Sequence, residues 1–362
     1  MQTCRQGISP QRIREEKKVL RSKKEAVAVP GSEVAATGGA GSALPPKRGY
    51  FREQLHRLKK HRTIFWFVLP AVFLAFLFGY IPMAGALIAF RSEFNYIGTH
   101  SIVEAFRRGE WSLSAFAELF ADEDGYFWLS VKNTLVVNIV KIIITFPIPV
   151  ILALFLVDVK NQSVSKGILI VLCLPHFLSW AMAIGIWKNL LSPDGGAINN
   201  VLVSSGILDR PFDFFTSNAW FKPMVIFFAA WKGSGWNTII FYAAIVSIDR
   251  SFFEAATLEG ANKFQKIVYI TLPTVMPTIA LMLIMSLTYL FSAGLEQFMT
   301  MYTSQTRYEQ YVIDTLMYDK TTQSGANYPV ATALGLLNGV IALVLMLGGN
   351  AFVKKKLNTS LW

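Results

Sequence analysis

Charge is scarce in this chain. Charged residues make up 16% of its 362 positions, whereas soluble domains usually carry about 25%. With 53% hydrophobic residues and a mean hydropathy of +0.42, that deficit points to a membrane protein. Cysteine is nearly absent: Cys4 lies in a basic tail and Cys173 in an apolar run. Neither a disulfide nor a thiolate metal site follows from such a pair, and both read as inert thiols. Histidines His56, His61, His100 and His176 are scattered, without metal-ligand spacing. His176 follows Pro175 inside an apolar run and reads as a packed or hydrogen-bonded residue. No G-x-x-x-x-G-K-[ST] loop occurs; the run Gly38-Gly39-Ala40-Gly41 lacks the Lys-Ser/Thr that would complete a phosphate cradle. H-E-x-x-H and G-x-S-x-G are missing too. The sequence therefore offers no catalytic, cofactor or metal site of its own. No signal peptide is expected, since the first apolar run begins only near Ile64.

What charge there is falls unevenly. The net charge is +11, and residues 1–63 hold fifteen Lys/Arg against five Glu, a local +10. No aromatic-interleaved reader motif accompanies this tail, so nucleic acid is not an expected partner. The reading is a cytoplasmic flank that obeys the positive-inside rule. Residues 1–48, basic and then rich in Gly, Ala and Pro, are expected to be largely disordered. Residues 49–63 place Phe51, Leu55 and Leu58 at helical spacing among bases, a pattern for a short helix on the membrane lipid surface.

Six apolar segments follow: Ile64–Phe90, Val131–Val157, Ile168–Trp187, Lys222–Ile248, Thr271–Phe298 and Tyr328–Val353. Each approaches the roughly 20 residues needed to cross a bilayer. Prolines inside several of them imply a packed bundle, where neighbours satisfy the freed carbonyls. The fold class is thus all-α: a polytopic membrane protein with a six-span domain over 64–353 and a tail at 354–362. Lys160, Lys166, Arg250, Lys263, Lys266 and Lys354-Lys355-Lys356 fall on the loops and tail of one side. Acid-rich or base-poor loops fall on the other, which makes both termini cytoplasmic.

The most informative stretch lies in the loop 249–270 and just beyond it. Glu254-Ala255-Ala256, then Gly260, then Ile270-x-Leu272-Pro273, form the pattern EAA-x3-G-x9-I-x-LP. Ser251-Phe252-Phe253-Glu254 fits the capping box S-x-x-E. A helix from Ser251 through Leu258 would end at Gly260 as a left-handed cap. Two turns are too few to be stable alone, so this helix needs a partner surface. Ala255 and Ala256 allow close approach, and Phe252, Phe253 and Leu258 supply apolar contact.

This loop resembles the coupling helix of type I importer permeases of the ATP-binding-cassette class. The resemblance covers about residues 60–362. Tyr80-Ile81-Pro82-Met83 with Ile88-Ala89-Phe90, Trp236-Asn237-Thr238-Ile239-Ile240, Val312-Ile313-Asp314-Thr315 and Leu361-Trp362 make it most similar to oligosaccharide and polysaccharide permeases. The basic extension 1–48 is longer than such permeases usually carry. The resemblance implies a non-catalytic subunit of the bacterial plasma membrane forming half of a translocation pathway. It implies a second permease, usually a different chain, two copies of a cytoplasmic ATPase that bind the ATP and Mg, and an extracytoplasmic solute-binding protein. It assigns ATPase coupling to Glu254, Ala255, Ala256, Leu258, Gly260, Ile270, Leu272 and Pro273, and a carbohydrate as substrate. Importers for peptide, phosphate or polyamine remain the alternative, with a secondary transporter or a pore-less interaction protein behind them.

Polar residues within spans tend to face the interior. Lys141 and Lys232 each lie 16 residues from the inner end of their segment, roughly 24 Å along a helix. Lys141 is expected to snorkel to the outer headgroups. Lys232 is expected in a wet cavity, because Trp231, Gly233, Ser234, Gly235, Trp236 and Asn237 surround it in sequence. Sugars are held by aromatic faces with amide and hydroxyl groups; an aromatic belt with a helix-packing glycine pair reads the same residues differently. Asn138, Tyr242, Glu296 and Gln297 complete the candidate pathway, with Asn133 a lesser one. Trp128 and Trp220 are expected outside the spans.

Overall fold

The computed structural model describes residues 62–94, 101–121, 123–322 and 326–357. The expected tail 1–48, almost all of the surface helix 49–63 and the terminal Leu361-Trp362 lie outside the described residues. The chain divides into two units, 1–72 and 73–362. The described part of the first belongs to helix α1 (Arg62–Ala75).

In the second unit the described residues are helical, with one isolated bridge between Arg91 and Trp111. Beyond Ala75 the rod continues through π, α and 3-10 turns to Phe90. Helices α2 (Ile102–Arg108) and α3 (Ser114–Ala121) follow. Arg91 is buried between the rings of Phe106 and Trp111, 4.8 and 5.1 Å from their centres, and donates to the Gly109 carbonyl. Then come α4 (Tyr126–Thr145) and α5 (Pro147–Asp158). Pro147 opens α5, where its missing N–H costs least. Helices α6 (Gln162–Cys173), α7 (Trp180–Leu190) and α8 (Ala197–Ser204) precede the 29-residue α9 (Asn218–Val246). The remainder are α10 (Arg250–Leu258), α11 (Lys263–Lys266), α12 (Leu272–Thr288), α13 (Leu295–Thr300), α14 (Arg307–Gln310), α15 (Ile313–Thr322) and α16 (Tyr328–Leu357).

Helix α9 is the axis of the bundle, packed on α4, α5 and α6. Phe221, Val225 and Phe228 of α9 join Val137, Ile184, Phe298 and Val312 in one core; Phe241 and Ile245 join Ala153 and Val275 in a second, nearer α10. Gly235 lets α9 touch α6 backbone to backbone: a Cβ there would overlap the Leu172 carbonyl. Helix α16 packs on α12, α15 and the 84–90 turn. Large apolar side chains face outward along the rods, Ile143, Phe155 and Val344 among them, all more than 60% exposed. Such surface is at home only in lipid or against another subunit.

The segment boundaries differ from the sequence expectation in four places. Among the described residues, four helical stretches are long and apolar enough to cross a membrane: Trp66–Phe90, Tyr126–Asp158, Lys263–Thr288 and Tyr328–Lys355. The expected third span, Ile168–Trp187, is bent by 100° between Phe177 and Trp180. The expected fourth is the long α9, whose midsection of Lys232, Gly233, Ser234 and Asn237 leaves it less apolar than those four. The expected fifth, Thr271–Phe298, stops at Thr288, and Phe298 belongs to the separate α13. Trp128 and Trp220 sit inside the first turns of α4 and α9 rather than beyond them.

Candidate functional site

Helix α10 hangs at one end of the bundle. It begins one turn-fraction earlier than Ser251 suggested: Asp249 is the N-cap, its Oδ1 accepting the Ser251 N–H at 2.9 Å. The Ser251/Glu254 capping box does not form. Both Asp249 and Ser251 are competent caps, and the carboxylate wins by adding its charge to a helix N-terminus. The backbone and side-chain hydrogen bonds from Ser251 hold the Asp249 carboxyl below the usual carboxylate range. At the other end Gly260 adopts φ 80°. The Ala261 N–H reaches the Ala256 carbonyl at 2.9 Å and the Gly260 N–H the Thr257 carbonyl at 3.0 Å, a Schellman closure that glycine allows without strain. A reciprocal capping box then starts α11, between Asn262 and Gln265.

The loop is tied to the bundle by packing and by an ion pair, and braced once within itself. Phe253 and Ile270 pack against the core formed by Ile245, Ile248 and Val275. Lys266 Nζ donates to Thr257 Oγ1 at 2.8 Å, and Lys263 reaches Asp158 at 3.4 Å across the end of α5. With caps and carbonyls satisfied internally, the outer face of α10 is left with Phe252 at 61% and Leu258 at 91% exposure, Phe264 at 73% nearby, and Glu254 and Ala255 beside them, also exposed. Ala256 and Leu272 are half-buried, and Pro273 is exposed in the first turn of α12.

A second group of polar residues gathers where α12 breaks. Residues 289–294 leave the helix, and Gly294 takes φ 96°. Asn138 Nδ2 collects the freed carbonyls of Tyr289, Leu290 and Ser292 at 3.3, 2.8 and 3.2 Å. The Asp314 carboxylate collects the donors: Ala293 N–H at 2.6 Å, Gly294 N–H at 3.0 Å and Ser292 Oγ at 3.2 Å. One buried side chain from α4 and one from α15 thus replace the lost helical bonds, as irregular backbone in a membrane requires. The Val312-Ile313-Asp314-Thr315 stretch is knotted around this point. Thr134 Oγ1 accepts the Ile313 N–H, and Thr315 Oγ1 accepts the Val312 N–H, each at 2.9 Å. Asn133, fully within the protein, bonds the Tyr308 and Tyr311 carbonyls and accepts from Lys222, itself paired to Glu309 at 2.6 Å.

The pathway candidates separate into two sets. Asn138 and Asn237 line one cavity of about 190 Å³, together with Lys141, Thr145, Phe241 and Tyr289. Trp231, Lys232, Trp236, Glu296 and Gln297 lie elsewhere. Lys232 Nζ donates to the His176 carbonyl at 2.8 Å and sits 5.2 Å from the Trp180 ring. It holds the α6–α7 bend rather than facing that cavity. His176 stacks on Trp236 at 4.7 Å, and Trp231 meets Trp187 edge-on at 5.5 Å. Glu296 Oε1 accepts the Trp180 N–H at 3.2 Å, in the first turn of α7. Gln297 is 2% exposed and bonds the Val225 carbonyl at 2.8 Å; its amide is spent on the core. Tyr242 approaches Ser165, near the α10 end. Lys141, expected to snorkel, points instead into the bundle, toward the Ala293 carbonyl at 3.4 Å. Sequence reasoning passed over Asp314 as a functional position, although it stands in a stretch singled out for its likeness to sugar permeases.

Residues 125–356, well over half of the chain, match the family described as binding-protein-dependent transport system inner membrane component. The chain belongs to that family. It is a type I ABC importer permease, a membrane subunit rather than a catalytic one. Protein LplB of Bacillus subtilis (strain 168) is 32% identical over 299 residues, 82% of this chain and 90% of that protein. The polygalacturonan/rhamnogalacturonan transport system permease protein YteP of the same organism is 31% identical, over 83% of this permease and 90% of YteP. Among solved structures, a chain of a bacterial alginate ABC transporter, crystallised in complex with an alginate pentasaccharide-bound periplasmic protein, superposes with a TM-score of 0.74. It shares 32% identity, covering 84% of this permease and 99% of that chain.

Proposed function

We propose that this permease forms half of the translocation pathway of an oligo- or polysaccharide importer, and that α10 takes up the work of a separate ATPase. The observation that carries the coupling role is the state of α10. Both of its ends are capped, its base is packed on the bundle, and its apolar tip is bare. A short helix of this kind is held by packing rather than by its own length, and the exposed Phe252 and Leu258 are suited to a groove on a soluble subunit. The relatives' printed substrates, a polygalacturonan/rhamnogalacturonan for YteP and alginate for the solved transporter, support a glycan as cargo.

In this reading the bent α6–α7 pair and the long α9 each count as a span, giving six. Arg250, Lys263, Lys266 and Lys354-Lys355 mark the α10 side as cytoplasmic, with both termini there. A second permease, most simply a different chain, completes the pore. Two ATPase copies holding ATP and Mg sit beneath, and a solute-binding protein delivers cargo from outside. ATP-driven closure of the ATPase pair moves α10; Phe253 and Ile270 carry that motion into α9 and α12. Asn138 and Asn237 are the pathway candidates that face a cavity. The test is uptake of labelled oligosaccharide by vesicles holding the complete importer. Glu254→Lys and Gly260→Pro should abolish ATP-driven uptake while the protein inserts normally. Undiminished uptake by both variants would refute the coupling role.

A further inference from the structure

The cavity between α4, α9 and α12 contains a cation that the protein leaves largely unspent. Two other partly buried lysines of the bundle are engaged: Lys222 by Glu309 and Asn133, and Lys232 by the His176 carbonyl and the Trp180 ring. Lys141 has one hydrogen bond, a long one at 3.4 Å to the Ala293 carbonyl. No carboxylate lies within ion-pair distance of it among the described residues. Asp314 is near enough to act on Lys141 through its charge but does not pair with it; its two oxygens receive the Ser292 hydroxyl and the Ala293 and Gly294 amides. Asp314 does not line this cavity, and neither does any other carboxylate. Across the space, the side chain of Asn237 of α9 makes no hydrogen bond among the described residues. Tyr289 adds an exposed aromatic face.

An ammonium held in a low-dielectric bundle is costly unless it is paired. Here the cavity lining supplies one cation, one free amide, an aromatic surface and no carboxylate. From these features we infer that Lys141 is a specificity-determining residue, and that it recognises the carboxylate of an acidic glycan in transit. Asn237 bonds a neighbouring hydroxyl, and the exposed Tyr289 covers the apolar face of the ring. The uronate completes the charge that the protein leaves open. Asp314 acts as a positioning residue: it fixes the 292–294 turn, and so the carbonyl against which Lys141 rests. The inference rests on the reading of this chain as a glycan-conducting permease.

The test uses the complete importer in phosphatidylcholine vesicles, which contain no anionic lipid to occupy the site. The probes are trigalacturonate and its carboxyl-reduced, neutral counterpart. Equilibrium binding of each is measured on the assembled transporter without the binding protein, so that delivery does not filter the result. Uptake is measured with the binding protein present. Wild type should bind the acidic probe about tenfold or more tightly than the neutral one. Lys141→Met should erase that preference by weakening the acidic probe alone, and Lys141→Arg should keep it. Equal affinities in wild type, or an equal loss of both probes in Lys141→Met, would overturn the specificity role. If the neutral probe is still imported in that case, the glycan reading stands and only Lys141 is misassigned. If wild type neither binds nor imports either probe, both fall together.

Discussion

The α10 loop and the break that ends α12 treat their polar and apolar groups in opposite ways. At α10 every cap is closed, by Asp249 at the start and by Gly260 at the finish, and the apolar side chains Phe252 and Leu258 are left outside. At the α12 break the polar side chains Asn138 and Asp314 are drawn inside to replace missing helical bonds. The first region is a finished object waiting for a surface. The second is unfinished backbone made whole by distant side chains, with one lysine beside it left over. A helix that satisfies its own backbone can be offered to a partner as a rigid unit. A broken helix in a bilayer survives only where the protein surrounds it.

Breaking the central region should have the largest effect. Asp314→Ala removes a carboxylate that accepts three hydrogen bonds and strands two backbone N–H groups, so a loss on the order of 3 kcal/mol is expected. Thermal unfolding of the purified permease complex measures it; a melting temperature equal to wild type would show that the turn holds itself. At the other end, Leu258→Asp should leave that melting temperature unchanged. It should weaken the ATPase contact by about 2 kcal/mol, the scale of one lost buried leucine, seen as poorer co-purification of ATPase subunits. Gly260→Ala forces a side chain into a left-handed position at a cost of about 1 kcal/mol; partial loss of coupled ATP hydrolysis should follow, with insertion intact.

The smallest effect expected is pH-dependent. The folded-state pKa of Asp249 is lowered, so its capping contribution is present above the ordinary carboxylate range. That contribution is lost as the pH falls through the lowered value. The protection of the amides of residues 250–253, taken relative to their intrinsic exchange at each pH, should fall there in wild type and stay constant over that window in Asp249→Ala.

The legible and illegible parts of the sequence divide along the same line. Gly260 and the EAA spacing announce a helix and its end because both depend on neighbours a few residues away. Only the starting cap is misplaced, since Asp249 and Ser251 satisfy the same rule and the carboxylate prevails. The break after Thr288 is invisible locally: Tyr289-Leu290-Phe291 prolongs an apolar run, and the side chains that stabilise the turn come from residues 138 and 314. The bend at 177–180 hides in the same way, being held by Lys232 and Glu296 from other helices. Depth along a helix placed Lys141 and Lys232 alike. Which way each points depends on rotation and on partners, and the structure gives them opposite surroundings from those the flanking residues suggested. Gln297 shows the converse, a polar residue that reads as pathway and is spent within the core.

The central claim is that α10 meets an ATPase, and the accessibility of position 258 tests it most directly. With Cys4 and Cys173 changed to serine, Leu258→Cys can be labelled with a membrane-impermeant maleimide in inside-out vesicles, with and without the partner ATPase subunits. Rapid labelling of the permease alone and strong protection in the assembled importer are predicted. Equal labelling in both states, in an importer that still transports, would contradict the account.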